Sequence, residues 1–159
     1  PPEHPDELAH DHRAHEEGLA GGGGGLDHRD ELLNFIYDRK IRRVVTLAGD
    51  VHCSMAAELR ASGIDTNRDA GRLREPDPDF RVISIVSSPF YWPYPHPRRK
   101  KFQLDGRLTS RSPYGFDVRN PSEVVCNENF TRVRATREEV TVEIYGRKGQ
   151  HYSSKTYAL

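Results

Sequence analysis

Three kinds of apolar spacing occur along the chain, and they divide it into elements. Between residues 28 and 39 apolar side chains return at Leu32, Phe35 and Ile36, the i, i+3, i+4 spacing of one helix face. Asp27 is placed to cap that helix, Asp30 and Glu31 fall in its first turn, and Arg39 and Lys40 close it, a charge order that complements the helix dipole. Residues 41–48 follow with Val44, Val45 and Leu47 in a continuous apolar run between Arg42-Arg43 and Gly49, which predicts a strand buried on both faces. Residues 51–60 alternate, with Val51, Cys53, Met55, Ala57 and Leu59 against His52, Ser54, Ala56, Glu58 and Arg60. Strand is the reading, although Met55-Ala56-Ala57-Glu58-Leu59 also suits a helix. Residues 80–86 form a further strand, stopped by Ser87-Ser88-Pro89. Near the end, residues 130–136, 140–145 and 151–157 are strands, the second with Val140, Val142 and Ile144 on one face. With a turn at 146–149 they predict an antiparallel meander.

Between these elements periodicity fails. Residues 1–26 read as a flexible His/Gly-rich loop, because Gly21-Gly22-Gly23-Gly24-Gly25 has too much backbone freedom for a regular element. Residues 62–79 are a polar loop, and 89–122 are an irregular stretch dense in proline, aromatic and basic residues. A chain of 159 residues then forms one domain, placed at 27–159. The start at Pro1, without a methionine or an apolar leader, reads as an internal point of a longer chain.

Composition narrows the class. Apolar content of 35% against 30% charged residues fits a soluble domain with generous loops, and no run of about 18 apolar residues is present to span a membrane. Lys+Arg and Asp+Glu balance at 24 each, which argues against a dedicated nucleic-acid binder. Cys53 and Cys126 stand far apart with no CxxC spacing, so they read as free thiols that fit a reducing, cytoplasmic compartment; an upstream leader would instead direct export.

The segment that carries chemistry is Val44-Val45-Thr46-Leu47-Ala48-Gly49-Asp50-Val51-His52. A buried strand runs into a glycine suited to positive φ or to close approach of a ligand, and then places an acid and a histidine two apart on one turn. A carboxylate oxygen and an imidazole nitrogen suit Zn, Mn or Fe; the alternative is an Asp that caps backbone amides beside a hydrogen-bonded His. His4, His10, His12 and His15 read as solvated loop residues. Phe90-Tyr91-Trp92-Pro93-Tyr94-Pro95-His96-Pro97 with Arg98-Arg99-Lys100-Lys101 either stacks an aryl group and attracts phosphate, with Tyr91, Arg98 and Arg99 as substrate residues, or pins a long loop. Cys53, next to His52, reads as a buried thiol rather than a nucleophile.

Gly49-Asp50-Val51-His52 after a V-V-T-L-A strand resembles the GDVH element of PhoD-like metallophosphatases, within the calcineurin-like metallophosphoesterases. Val82-Ile83-Ser84-Ile85-Val86-Ser87-Ser88-Pro89 is similar to the strand and corner that follow it there, and Glu128-Asn129-Phe130 with the meander looks like the family's end, so that residues 27–159 carry the resemblance. The resemblance implies an α/β fold, the carboxy-terminal half of a layered α/β/β/α sandwich. It also implies a pair of metal ions (Mn, Zn, Fe or Ca) with His52 and Asp50 among the ligands, and hydrolysis of phosphate mono- or diesters. The family's amino-terminal motifs DxH, GDxxD and GNH[DE] are missing upstream of Gly49-Asp50-Val51-His52, so the segment alone is expected to be inactive and to need the missing amino-terminal part of its domain. The competing expectation is a non-catalytic interaction domain that kept the scaffold.

Overall fold

The computed structural model describes residues 23–64, 76–87, 90, 104–108, 112 and 114–159, with side chains from residue 28 onward except that of residue 64. In chain order the elements are α1 (Gly23–Asp38), β1 (Val44–Ala48), β2 (Met55–Ile64), β3 (Arg81–Val86), β4 (Gly106–Arg107), β5 (Tyr114–Arg119), β6 (Asn129–Ala135), β7 (Glu139–Gly146) and β8 (His151–Ala158). They form a mixed five-stranded sheet ordered β1-β3-β2-β5-β4 and an antiparallel three-stranded sheet ordered β6-β7-β8. Among the described strands only β1 and β3 pair in parallel, with Val44 opposite Val82 and Ala48 opposite Val86. No helix among the described residues is long and apolar enough to cross a membrane.

Alternation along β3 explains how the elements stack. Successive strand side chains point to opposite faces. Val82 goes to a cluster with Leu33 and Ile36 of α1, Phe80 and Phe116, while Ile83 and Ile85 join Ala56, Val140, Val142 and Tyr157. The helix therefore covers one face of the large sheet, and β7 and β8 cover the other. The Tyr37 ring adds to the first cluster, 5.3 Å from Phe80 and 4.5 Å from Tyr114.

Several expectations need correction. The helix begins at Gly23, so Asp27 does not cap it, three glycines lie inside it, and Asp30 and Glu31 fall beyond its first turn. Once a helix is nucleated each further residue adds a hydrogen bond, which lets it extend through residues of poor propensity. Its buried side is also different: Leu33 and Ile36 are each 5% exposed, whereas Leu32 and Phe35 are 52% and 53% exposed. The segment holds two overlapping apolar stripes, and the sheet selects the one that meets Phe80 and Phe116. The C-terminus closes without glycine. Lys40 N–H donates to Tyr37 O and Ile41 N–H to Ile36 O, a Schellman arrangement with Lys40 at φ 51°.

The strand at β1 is not buried on both faces. Among the described strands it lies at the edge of the sheet with β3 as its one partner, and Leu47 is 71% exposed. The alternating stretch becomes β2 only from Met55, after a bend at 51–53, and it runs on to Ile64, into what reads as polar loop. Within 89–122, read as irregular, the structure has β4 and β5, and β5 is a direct neighbour of β2. Tyr114, Phe116 and Val118 alternate with Gly115 and Asp117, a strand signal that the surrounding prolines and cations obscure. The meander stands as expected, with Val140, Val142 and Ile144 buried. Gly149, at φ 84°, supplies the left-handed residue of the turn between β7 and β8.

Candidate functional site

The carboxyl ends of β1 and β3 lie side by side, as parallel pairing requires, and Ser87 N–H donates to Ala48 O at 2.9 Å beyond the last pair. The chain leaves β1 there and makes the turn that carries Asp50 and His52. An extended turn with positive φ at Gly49 is not what forms. Gly49 lacks positive φ, and a Cβ at that position would meet Ser87 O at 3.7 Å, an ordinary contact. Left-handed geometry falls instead on Asp50 (φ 64°) and His52 (φ 58°). Non-glycine residues bear a steric cost in that region, and such strain persists where the surroundings impose it, often at functional sites.

The turn still brings the two side chains together, with His52 Nε2 4.0 Å from Asp50 Oδ1. Asp50 is open, its side chain 84% exposed, whereas His52 is recessed at 27%. Two donors on one tetrahedral ion, each bonded at about 2.1 Å, stand about 3.4 Å apart. The observed pair, at 4.0 Å, is slightly wider. The donor types fit a metal, but the donor number does not. No group of three or more His, Cys, Asp or Glu suited to hold an ion exists among the described residues.

Behind His52 the wall is fixed. Cys53 and Ser54 are fully buried. Cys53 forms a disulfide with Cys126 across 73 residues of sequence, so the two thiols are not free and the argument for a reducing compartment falls. Geometry in space brings the two together, which sequence spacing does not report; the even cysteine count was the available signal. Ser54 and Val125 exchange backbone hydrogen bonds of 2.8 and 2.9 Å. The Ser54 hydroxyl donates to Asn129 Oδ1 at 2.5 Å, and Asn129 Nδ2 donates to Val125 O and Asn127 O. Ser54, Cys126 and Asn129 thus hold the turn that carries Asp50 and His52, a part that the pattern of motifs alone did not give them.

Tyr91, Arg98 and Arg99 lie outside the described residues, as do His4, His10, His12 and His15. No curated protein and no solved structure shows significant similarity to the chain. A family model, that of the PhoD-like phosphatase, matches residues 6–144. The match takes in most of the histidine-rich beginning, which the motif resemblance had left outside, and it stops within β7, short of the end of the meander. It spans α1, both parallel strands and the turn that carries Asp50 and His52, and on that match the chain belongs to the PhoD-like phosphatase family.

Proposed function

We propose that the chain is the carboxy-terminal part of a metal-dependent phosphoesterase that hydrolyses phosphate mono- or diesters, and that it contributes one loop of the metal site. The observation that carries this reading is the Asp50–His52 pair. Two donors converge at the carboxyl end of β1, in strained backbone, on a turn held from behind. His52 would be a metal ligand through its imidazole, and Asp50 either a ligand or the group that orients it. A bound metal pair (Mn, Zn, Fe or Ca) would supply Lewis acidity and an activated hydroxide for in-line attack at phosphorus. The remaining donors would come from residues outside those described.

The layered sandwich is part of the same reading. A helix on one face of the large sheet and a small sheet on the other support three layers of an α/β/β/α arrangement. The exposed edge of β1, with Leu47 uncovered, and the outward Leu32 and Phe35 of α1 are the surfaces that the amino-terminal part of the domain would cover. The non-catalytic alternative, an interaction domain on the same scaffold, is favoured by one fact, the pair of donors where a metal pair needs more.

Hydrolysis of an aryl phosphate and a bis-aryl phosphate separates the two readings. The full-length protein is expected to turn over at least one of them. The His52→Ala variant should lose at least about 100-fold, the upper end of the loss for groups that only support a metal ligand. The 159-residue chain alone should be inactive. Turnover by that isolated chain, or full activity after His52→Ala, would overturn the proposal.

A further inference from the structure

The turn that carries His52 is anchored at both ends by parts of the chain remote in sequence. Upstream, Ala48 is held to β3 by its pairing with Val86 and by the Ser87 N–H. Downstream, Cys53 is bonded to Cys126, and Ser54 is held by Val125 and Asn129. Only residues 49–52 lie between the anchors, and two of those four have left-handed backbone. A left-handed non-glycine residue relaxes when its surroundings let it, so an anchor immediately after His52 determines whether the imidazole keeps its direction.

We infer that Cys126, through its disulfide to Cys53, and Asn129, through Ser54, are positioning residues for His52, and that a dithiol reductant releases the turn. Cys53 is fully buried and Cys126 only partly so, and the attack is therefore assigned to the sulfur of Cys126. A thiolate of the dithiol attacks it, forming a mixed disulfide on Cys126, and Cys53 leaves as a thiolate that takes a proton. The second thiol of the reductant then displaces Cys126, which is protonated in turn. Two electrons pass from the dithiol to the protein, two protein thiols form, and the reductant leaves as its own disulfide. Without the cross-link, the downstream end loses its covalent anchor and keeps the hydrogen bonds of Ser54.

The inference concerns the geometry of the turn. Its consequence for metal binding rests on the reading of His52 as a ligand, and the test separates the two. Amide hydrogen exchange and the His52 ring proton signals are followed by NMR on the 159-residue chain, oxidised, treated with a small dithiol, and as the Cys53→Ala/Cys126→Ala double variant, which has no thiol to bind metal. After reduction, exchange at residues 51–54 should accelerate at least about tenfold, and the His52 ring signals of the folded protein should move while those of Tyr157 in the core keep their positions. The double variant should behave like the reduced protein, and dithiol should add nothing to it. Asn129→Ala should give a smaller change in the same direction. Unchanged exchange at 51–54 after verified reduction would overturn the inference, as would His52 ring signals that stay in place, because the bond would then hold the fold rather than the turn. Manganese(II) is then titrated into the full-length protein, oxidised and as the double variant, because the 159-residue chain alone lacks the remaining donors. Stronger broadening of the His52 ring in the oxidised form supports the link to metal binding. A loosened turn with no manganese broadening in either form leaves the positioning role standing and removes His52 as a ligand.

Discussion

In the three-stranded sheet every strand finds its partners within one continuous stretch of chain, and its turns use local chemistry. Thr136 Oγ1 accepts from the amides of Glu138 and Glu139, and Gly149 takes the left-handed position before β8. At the carboxyl end of β1 little is local. The left-handed positions fall on Asp50 and His52, the strand edge is open, and the anchors come from β3, Val125, Cys126 and Asn129. One region satisfies itself, while the other depends on distant residues and keeps strain next to two polar side chains.

The largest effect that tests the contrast is on the cross-link. Its loop of 73 residues should be worth about 4 kcal/mol by chain entropy. In a domain of this size the Cys53→Ala/Cys126→Ala variant should then melt about 10 °C lower in calorimetry. A change of a degree or two would mean that the remote anchor contributes little. Next comes Ile144→Ala, which removes a side chain 1% exposed on the buried face of β7; a loss of about 3 kcal/mol is expected in denaturant titration. Exchange at residues 51–54 should follow the global loss without a local excess, since the meander does not hold the turn.

A smaller change of opposite sign is expected at Asp50→Gly. Glycine takes φ 64° without the steric cost, so stability should rise by about 0.5 kcal/mol after its larger chain entropy is counted. A loss of stability would mean that the carboxylate caps the turn, which is the structural alternative to a ligand. The smallest effect concerns Glu143. The hydrogen bond from Arg132 holds its carboxyl below the ordinary 4.5, against burial, with Tyr145 and Arg134 assisting. A group with a depressed folded-state value contributes stability above its ordinary value and loses it as pH falls through the folded one. Acid titration of stability should therefore show a loss below about pH 4.5 that Arg132→Ala reduces. An identical acid limb in the variant would remove that assignment.

What the chain disclosed in advance follows the same division. Val140, Val142 and Ile144 were legible because β7 has one buried face, so period-two alternation maps directly onto the core. The face of α1 was not, because Leu32 and Phe35 form as good a stripe as Leu33 and Ile36, and only the sheet distinguishes them. Strand β1 read as interior because Val44, Val45 and Leu47 are continuous and apolar, yet a continuous run reports what the strand is fit to contact rather than whether the partner is present. Asp50 and His52 stood out by residue type and by position after a strand. Their left-handed backbone did not, since Gly49 drew the expectation of positive φ to itself. The cross-link and the Ser54–Asn129 bond depend on the fold as a whole, and spacing along the chain carries no record of them.

Metal analysis of the purified full-length protein, with and without His52→Ala, bears most directly on the central claim that the recessed imidazole at the end of β1 is one ligand of a shared metal site. The account predicts stoichiometric bound metal in the native protein and loss of at least one equivalent in the variant, with the fold intact by circular dichroism. Equal metal content in the two proteins would contradict it.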